Sequence, residues 1–159
     1  METSIQIKND IQEITQKVAN FLDENVKITI LDKSKDEKNK IFWVSIESEK
    51  AALLIGHEGS NLKAIQHIIT AMNRKRNQPT KVIIDINNYR LNRLEFLRKI
   101  ALINSERVVQ TKHLVILRPM SAYERRVIHL TLASKKDVET ESLGEEPNRY
   151  VVIKPKKKI

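Results

Sequence analysis

Leu54-Ile55-Gly56-His57-Glu58-Gly59-Ser60-Asn61-Leu62 is the stretch that decides how this chain is read. The chain has three glycines, and two of them, Gly56 and Gly59, stand three positions apart here. Ala51-Ala52-Leu53-Leu54-Ile55 before them reads as a short helical turn. Leu62, Ile65, Ile69 and Met72 after them mark the buried face of a helix, with Ser60 or Asn61 as its N-cap. A glycine-flanked turn that opens onto a helix N-terminus brings bare backbone N–H groups close to a phosphate. Nucleic acid is therefore the first ligand to consider.

Working outward, Ile7, Ile11, Ile14, Val18 and Phe21 are spaced 4, 3, 4 and 3, which predicts an amphipathic helix. Val26 to Leu31 and Phe42 to Ile46 alternate as two strands of a hairpin, joined by a solvated loop from Lys33 to Lys40. Downstream, Arg74-Lys75-Arg76-Asn77-Gln78-Pro79 ends the post-glycine helix, with cations near the negative end of its dipole. Val82 to Ile86 is a third strand. Asn87 or Asn88 then caps a long helix reaching about Gln110, with Leu91, Leu94, Leu97, Ala101 and Val108 as its apolar stripe. His113 to Leu117 reads as a strand, Pro119 or Ser121 as the start of another helix, and Val138 to Glu141 and Arg149 to Ile153 as two strands around a turn. The expected class is α+β. A boundary near residue 87 gives domains at 1–87 and 88–154 and a basic tail at 155–159, and the segment from Lys154 to Lys158 reads as mobile.

The charge follows this division. Residues 1–50 carry 8 Lys/Arg against 10 Asp/Glu, and residues 51–159 carry 21 against 10. The net +9 is thus concentrated from the glycine turn onward, which points to a polyanionic partner. Aromatic content is 4%, so binding that rests mainly on base stacking is disfavoured. The absence of cysteine excludes disulfides and thiolate metal sites and fits a cytoplasmic setting. The N-terminus lacks a signal-peptide layout, and no stretch approaches the roughly 20 apolar residues of a membrane span. His57, His67, His113 and His129 form no recognisable metal cluster, so neither metal nor cofactor is expected.

The order helix, strand, strand, helix, G-x-x-G, helix, strand resembles the KH domain of the bacterial type. In that family the glycine loop clamps the backbone of about four single-stranded nucleotides, and bases lie in a groove between the following helix and the sheet. The resemblance implies that Gly56 and Gly59 shape the loop and that His57, Glu58, Ser60 and Asn61 face the backbone. Lys63, one turn on, would neutralise a phosphate. One position departs from the pattern: family members usually carry a basic residue in the loop, whereas this chain has Glu58. A carboxylate beside phosphate costs on the order of 1 kcal/mol at surface dielectric.

A second motif lies at Arg125-Arg126-Val127-Ile128-His129, where Arg125 and His129 share a helix face. Arg grips phosphate bidentately, and His can donate a hydrogen bond beside it. With Leu117 to Glu124 before it and Ser142 to Ile153 after it, this segment is similar to the single-stranded nucleic-acid-binding R-3-H (Arg-x-x-x-His) domain. The pairing of the two domains resembles the bacterial Jag/KhpB family, also called SpoIIIJ-associated proteins, without the N-terminal Jag domain. That resemblance implies a non-enzymatic, cytoplasmic protein that binds single-stranded RNA. Its role would be post-transcriptional regulation or RNA chaperoning linked to cell elongation and division, with a small KH-only, KhpA-like protein as partner. Single-stranded DNA is an alternative ligand, and a protein–protein adaptor with weak nucleic-acid binding is the alternative role. Arg90, Arg93, Arg98, Lys99 and Arg107 on the long helix, and the C-terminal lysines, are further candidates for phosphate contact.

Overall fold

The computed structural model describes residues 2–36, 40–76 and 80–156. Three stretches assigned from sequence therefore lie outside the described residues: 37–39 of the first loop, 77–79 after the post-glycine helix, and 157–159 of the tail. The chain divides into two compact units, Met1–Arg90 and Leu91–Ile159.

The first unit runs α1 (Glu2–Asn20), β1 (Lys27–Asp32), β2 (Ile41–Glu47), α2 (Ala51–Ile55), a 3-10 turn (His57–Gly59), α3 (Ser60–Arg76) and β3 (Lys81–Ile86). Its sheet has the order β1-β2-β3, antiparallel then parallel. The register sets Ile30, Val44 and Ile84 in one row. Strand alternation sends these residues, with Phe42, Ile46, Val82 and Ile86, to the same face. There they meet Ile7, Ile11 and Ile14 of α1 and Leu62, Ile65 and Ile69 of α3 in one continuous core. Each such side chain contributes about 1.5–3 kcal/mol by burial. Two residues assigned to these stripes do not join it. Phe21 is 89% exposed because α1 stops at Asn20 and the chain turns, so that Leu22 packs in its place. Met72 is 37% exposed at the margin of the α3 stripe.

The second unit holds most of α4 (Tyr89–Thr111), then β4 (Val115–Ile116), α5 (Ala122–Leu132), β5 (Val138–Leu143) and β6 (Tyr150–Pro155). Its antiparallel sheet has the order β4-β6-β5, so the last strand is central. Leu97, Ala101 and Val108 pack with Leu117, Val127, Ile128, Leu132, Val138, Val151 and Ile153. Leu91, expected in the α4 stripe, is 56% exposed. The strand expected over His113 to Leu117 shrinks to two residues, since only Val115 and Ile116 pair with β6. Lys154 and Pro155, expected in the mobile tail, belong to β6 and pair with Glu139 and Val138. Ser121 is the N-cap of α5, closed by a capping box with Glu124.

The start of α4 differs from expectation in a way that bears on the glycine turn. Asn87 and Asn88 both have positive φ, 46° and 57°. Asn87 does not cap α4. Its side chain accepts from the Ser48 N–H and donates to the Ser48 carbonyl, 3.0 and 2.9 Å. The buried Asp85 carboxylate accepts the Arg90 N–H of the first turn instead. Ser48 Oγ in turn donates to Asp23. That bond, with the Asn25 N–H, holds the Asp23 carboxyl below the ordinary aspartate range. Asp23, Ser48 and Asn87 thereby tie together the ends of α1, β2 and β3.

Candidate nucleic-acid interface

The glycine turn is built by close packing as much as by backbone freedom. Gly56 has φ 70°, and a Cβ there would lie 2.6 Å from Asn61 Cγ. Gly59 has φ 78°, and a Cβ there would lie 2.9 Å from the Tyr89 ring. Both positions therefore demand glycine twice over, by conformation and by contact. Between them Glu58 is also left-handed, with φ 49°, a conformation that costs a residue with a Cβ about 1 kcal/mol. Asn61 does not cap α3, as the sequence suggested, and neither does Ser60, which already has helical angles. Asn61 sits inside the helix, and its amide donates to the Leu53 carbonyl at 2.8 Å, which pins α2 against the start of α3. The result is a rigid turn that passes directly into α3. His57, Ser60, Asn61 and Lys63 are exposed, Glu58 is half-buried and Gly59 is buried.

The groove expected between α3 and the sheet is bordered by the free edge of β3, and side chains occupy that edge. Gln66 of α3 donates to the Val82 carbonyl at 2.6 Å and accepts from the Ile84 N–H at 2.8 Å. Arg90 Nε donates to the Ile84 carbonyl at 2.7 Å, and its guanidinium also reaches Gln66 Oε1. Sequence reading passed over Gln66, because a lone glutamine on a helix gives no signal of a strand edge 16 residues away.

In the second unit Arg125 and His129 do share a face of α5, and both are engaged internally. Arg125 is 7% exposed. One guanidinium nitrogen donates to the Met120 carbonyl at 2.7 Å and another to the Glu146 carboxylate at 2.8 Å. Both ring nitrogens of His129 have hydroxyl partners on β5, Thr140 at 2.6 Å and Ser142 at 2.7 Å. Burial, and then the Arg125 charge, push the His129 pKa below its ordinary value, so the ring is neutral at pH 7. Arg93 pairs with Glu124 at 2.8 Å and lies over the Phe96 ring. Burial disfavours the Glu124 carboxylate. Hydrogen bonds from Ser121 Oγ, the Ser121 N–H and Arg93 outweigh that cost and leave its pKa lowered. Of the five α4 cations proposed from sequence, Arg90 and Arg93 are thus committed to the fold, while Arg98, Lys99 and Arg107 are exposed. Arg118, Arg126 and Arg149 are exposed around the α5 motif.

No group of His, Asp or Glu among the described residues is arranged to hold a metal ion, and no described helix is long and apolar enough to cross a membrane. Comparison with known proteins assigns both units. The KhpA/KhpB KH domain model matches residues 8–86, and the R-3-H domain model matches residues 95–155. A Bacillus subtilis (strain 168) protein named RNA-binding protein KhpB is 36% identical over 155 residues, which cover 96% of this chain and 70% of that protein. A Clostridium symbiosum protein of the same name is 37% identical over 123 residues, 77% of this chain and 55% of that protein. A third, from Streptococcus pneumoniae serotype 2, is 31% identical over 157 residues, 96% of this chain and 46% of that protein. The chain therefore spans about half the length of the latter two relatives.

Proposed function

This chain belongs to the KhpB family of RNA-binding proteins, and from that premise we propose that it binds single-stranded RNA, without catalysis, at two places. The first is the Gly56–Gly59 turn. Phosphates approach the backbone N–H groups at the start of α3, with His57, Ser60 and Asn61 beside them and Lys63 as the neutralising cation. The observation that carries this reading is the turn itself. Two positions are fixed as glycine by contact, and a non-glycine residue, Glu58, is held left-handed between them. Backbone held in such conformations concentrates at ligand sites.

The second place is the α5 motif. Its guanidinium already holds a carboxylate, that of Glu146, whose side chain is 59% exposed. The Glu146 carboxylate can swing into water while a strand phosphate takes its place on the buried guanidinium, which keeps a charged partner throughout. The Met120 carbonyl keeps the other end of the guanidinium in place. His129 serves by holding α5 to β5 through Thr140 and Ser142. Two modest sites on one chain gain avidity when one strand engages both. The cellular role that follows is post-transcriptional.

The test is titration of a random single-stranded RNA pool at several salt concentrations. Glycine-to-aspartate variants are poor probes, because Asn61 and Tyr89 fill the space a side chain needs. His57→Glu/Lys63→Glu changes only exposed side chains and is expected to weaken binding at least fivefold. Glu146→Gln is expected to strengthen it severalfold by freeing the Arg125 fork. Affinity untouched by either change would sink the two-site reading.

One observation favours an adaptor role as a second reading. On the face of the first sheet opposite α1 and α3, Leu31, Trp43 and Ile83 stand in one row across all three strands, and Leu31 is 48% exposed. A small KH-only protein docking there would be released by Trp43→Glu with RNA binding unchanged, which a pull-down with the purified pair would detect.

A further inference from the structure

A groove of about 1020 Å³ lies in the second unit, away from the α5 motif, where the end of β6 passes the chain between α4 and β4. It exists because β4 is short. β4 covers β6 only at Val152 and Ile153, and β6 runs on through Lys154 and Pro155. Beyond β4 the groove is bounded by Lys112, His113 and Leu114. Lys112 is left-handed, φ 59°, and swings the chain out of α4. On the other side Lys156 is anchored by its N–H to the Asp137 carbonyl at 2.9 Å, so the cation is carried on fixed backbone.

The lining has a definite chemical character. Lys154 is occupied by Glu141 at 2.6 Å and lies 3.9 Å from Glu139, so it is not available to a ligand as a free cation. Lys112 and Lys156 have no carboxylate within ion-pair distance among the described residues, and both are exposed. Between them His113 offers the one aromatic ring of the lining, and Leu114, 54% exposed, offers an apolar floor. Two uncompensated cations flanking an apolar, ring-bearing trough match a strand that carries phosphates on its outside and flat bases between them.

We propose that this groove is a third contact for the sugar–phosphate backbone of single-stranded nucleic acid, with Lys112 and Lys156 on successive phosphates and a base against His113 and Leu114. The proposal rests on the RNA-binding reading above, and its test separates the two. The full chain is titrated with an eight-nucleotide oligouridine while backbone amide NMR signals are followed. Signals of 112–114 and 154–156 are expected to move together with those of 57–63. Lys112→Glu/Lys156→Glu is expected to weaken binding ~10-fold at 0.1 M salt and to make the salt dependence shallower by about 1.4 log units per log unit, at ~0.7 for each lost phosphate. Lys33→Glu/Lys35→Glu changes the net charge equally at two exposed lysines after β1 in the first unit, and is expected to leave most of that slope in place. Lys112→Gln/Lys156→Gln serves if the charge reversals fail to fold, with the same direction expected. Motionless groove signals beside moving loop signals would overturn this proposal alone, and so would an equal effect of the control pair. Pyrophosphate moving the groove signals as far as the oligonucleotide does, at equal phosphate concentration, would mark a small-anion pocket and would also overturn it. No binding of RNA by the unmodified chain would overturn the function proposed above as well.

Discussion

At the scale of single residues, the Arg-x-x-x-His pair shows how a motif can serve the fold and the ligand with the same atoms. Arg125 sends one hydrogen bond into the fold, to Met120, and one outward, to Glu146. Removing the guanidinium leaves a buried carbonyl without its donor. Arg125→Ala is therefore expected to cost about 1–3 kcal/mol of stability before any effect on RNA is counted, read from denaturant midpoints. Glu58 raises the opposite question, a carboxylate where a strand is to bind. Glu58→Gln removes its charge and keeps its shape, and RNA affinity is expected to rise about fivefold, the equivalent of ~1 kcal/mol. A smaller defect lies in α1. Thr15 is fully buried, and its hydroxyl has no hydrogen-bond partner among the described residues. Thr15→Val puts a methyl where the orphaned oxygen sits and is expected to stabilise the protein by about 1 kcal/mol in the same denaturation assay.

At the scale of elements, α5 depends on its first turn. The Glu124 carboxylate closes the capping box and holds Arg93, and its pKa is lowered in the folded chain. A depressed carboxylate stabilises the fold at pH values above the ordinary glutamate pKa, and that contribution disappears as pH falls through the folded value. Glu124→Ala is accordingly expected to lose about 2 kcal/mol at pH 7, and the gap to the unmodified chain to narrow below about pH 4, measured by thermal melts across pH. His129 carries the same sign in a higher window. Its neutral ring holds Thr140 and Ser142 above about pH 6.5, and that support weakens as pH falls through its lowered pKa. The elements themselves were legible in the sequence. Period-two alternation marks β1 and β2, a run rich in Val and Ile marks β3, and Pro119 or Ser121 marks the start of α5, where the structure places the cap on Ser121. Contacts between elements were not. That Asp85 rather than Asn87 receives the Arg90 N–H depends on a double left-handed turn at 87–88 that no propensity announces. That Arg125 meets Glu146 depends on a turn 21 residues further on. The candidate loop could be named from its glycines, but the reason both must be glycine lies in Asn61 and in Tyr89, which is distant in sequence.

At the scale of the whole molecule, two cores with no shared residue divide the stability into two accounts. The single tryptophan, Trp43, is in the first unit, so its fluorescence reports that unit alone. Ile11→Ala deletes fully buried volume there and costs about 2–5 kcal/mol. The fluorescence transition is expected to shift to lower denaturant while amide exchange at Ile128, in the second core, keeps its protection. Loss of protection at both places would mean that the units unfold as one. The side chains along β3 carry a further consequence. A sheet edge with bare N–H and C=O groups invites another chain to add a strand, whether as a partner or as the first step of aggregation. Gln66 and Arg90 already satisfy the outward carbonyl of Val82 and both outward groups of Ile84, at the middle of the edge. That edge is sealed against strand addition, and any protein that joins the first unit there must dock on side chains rather than extend the sheet.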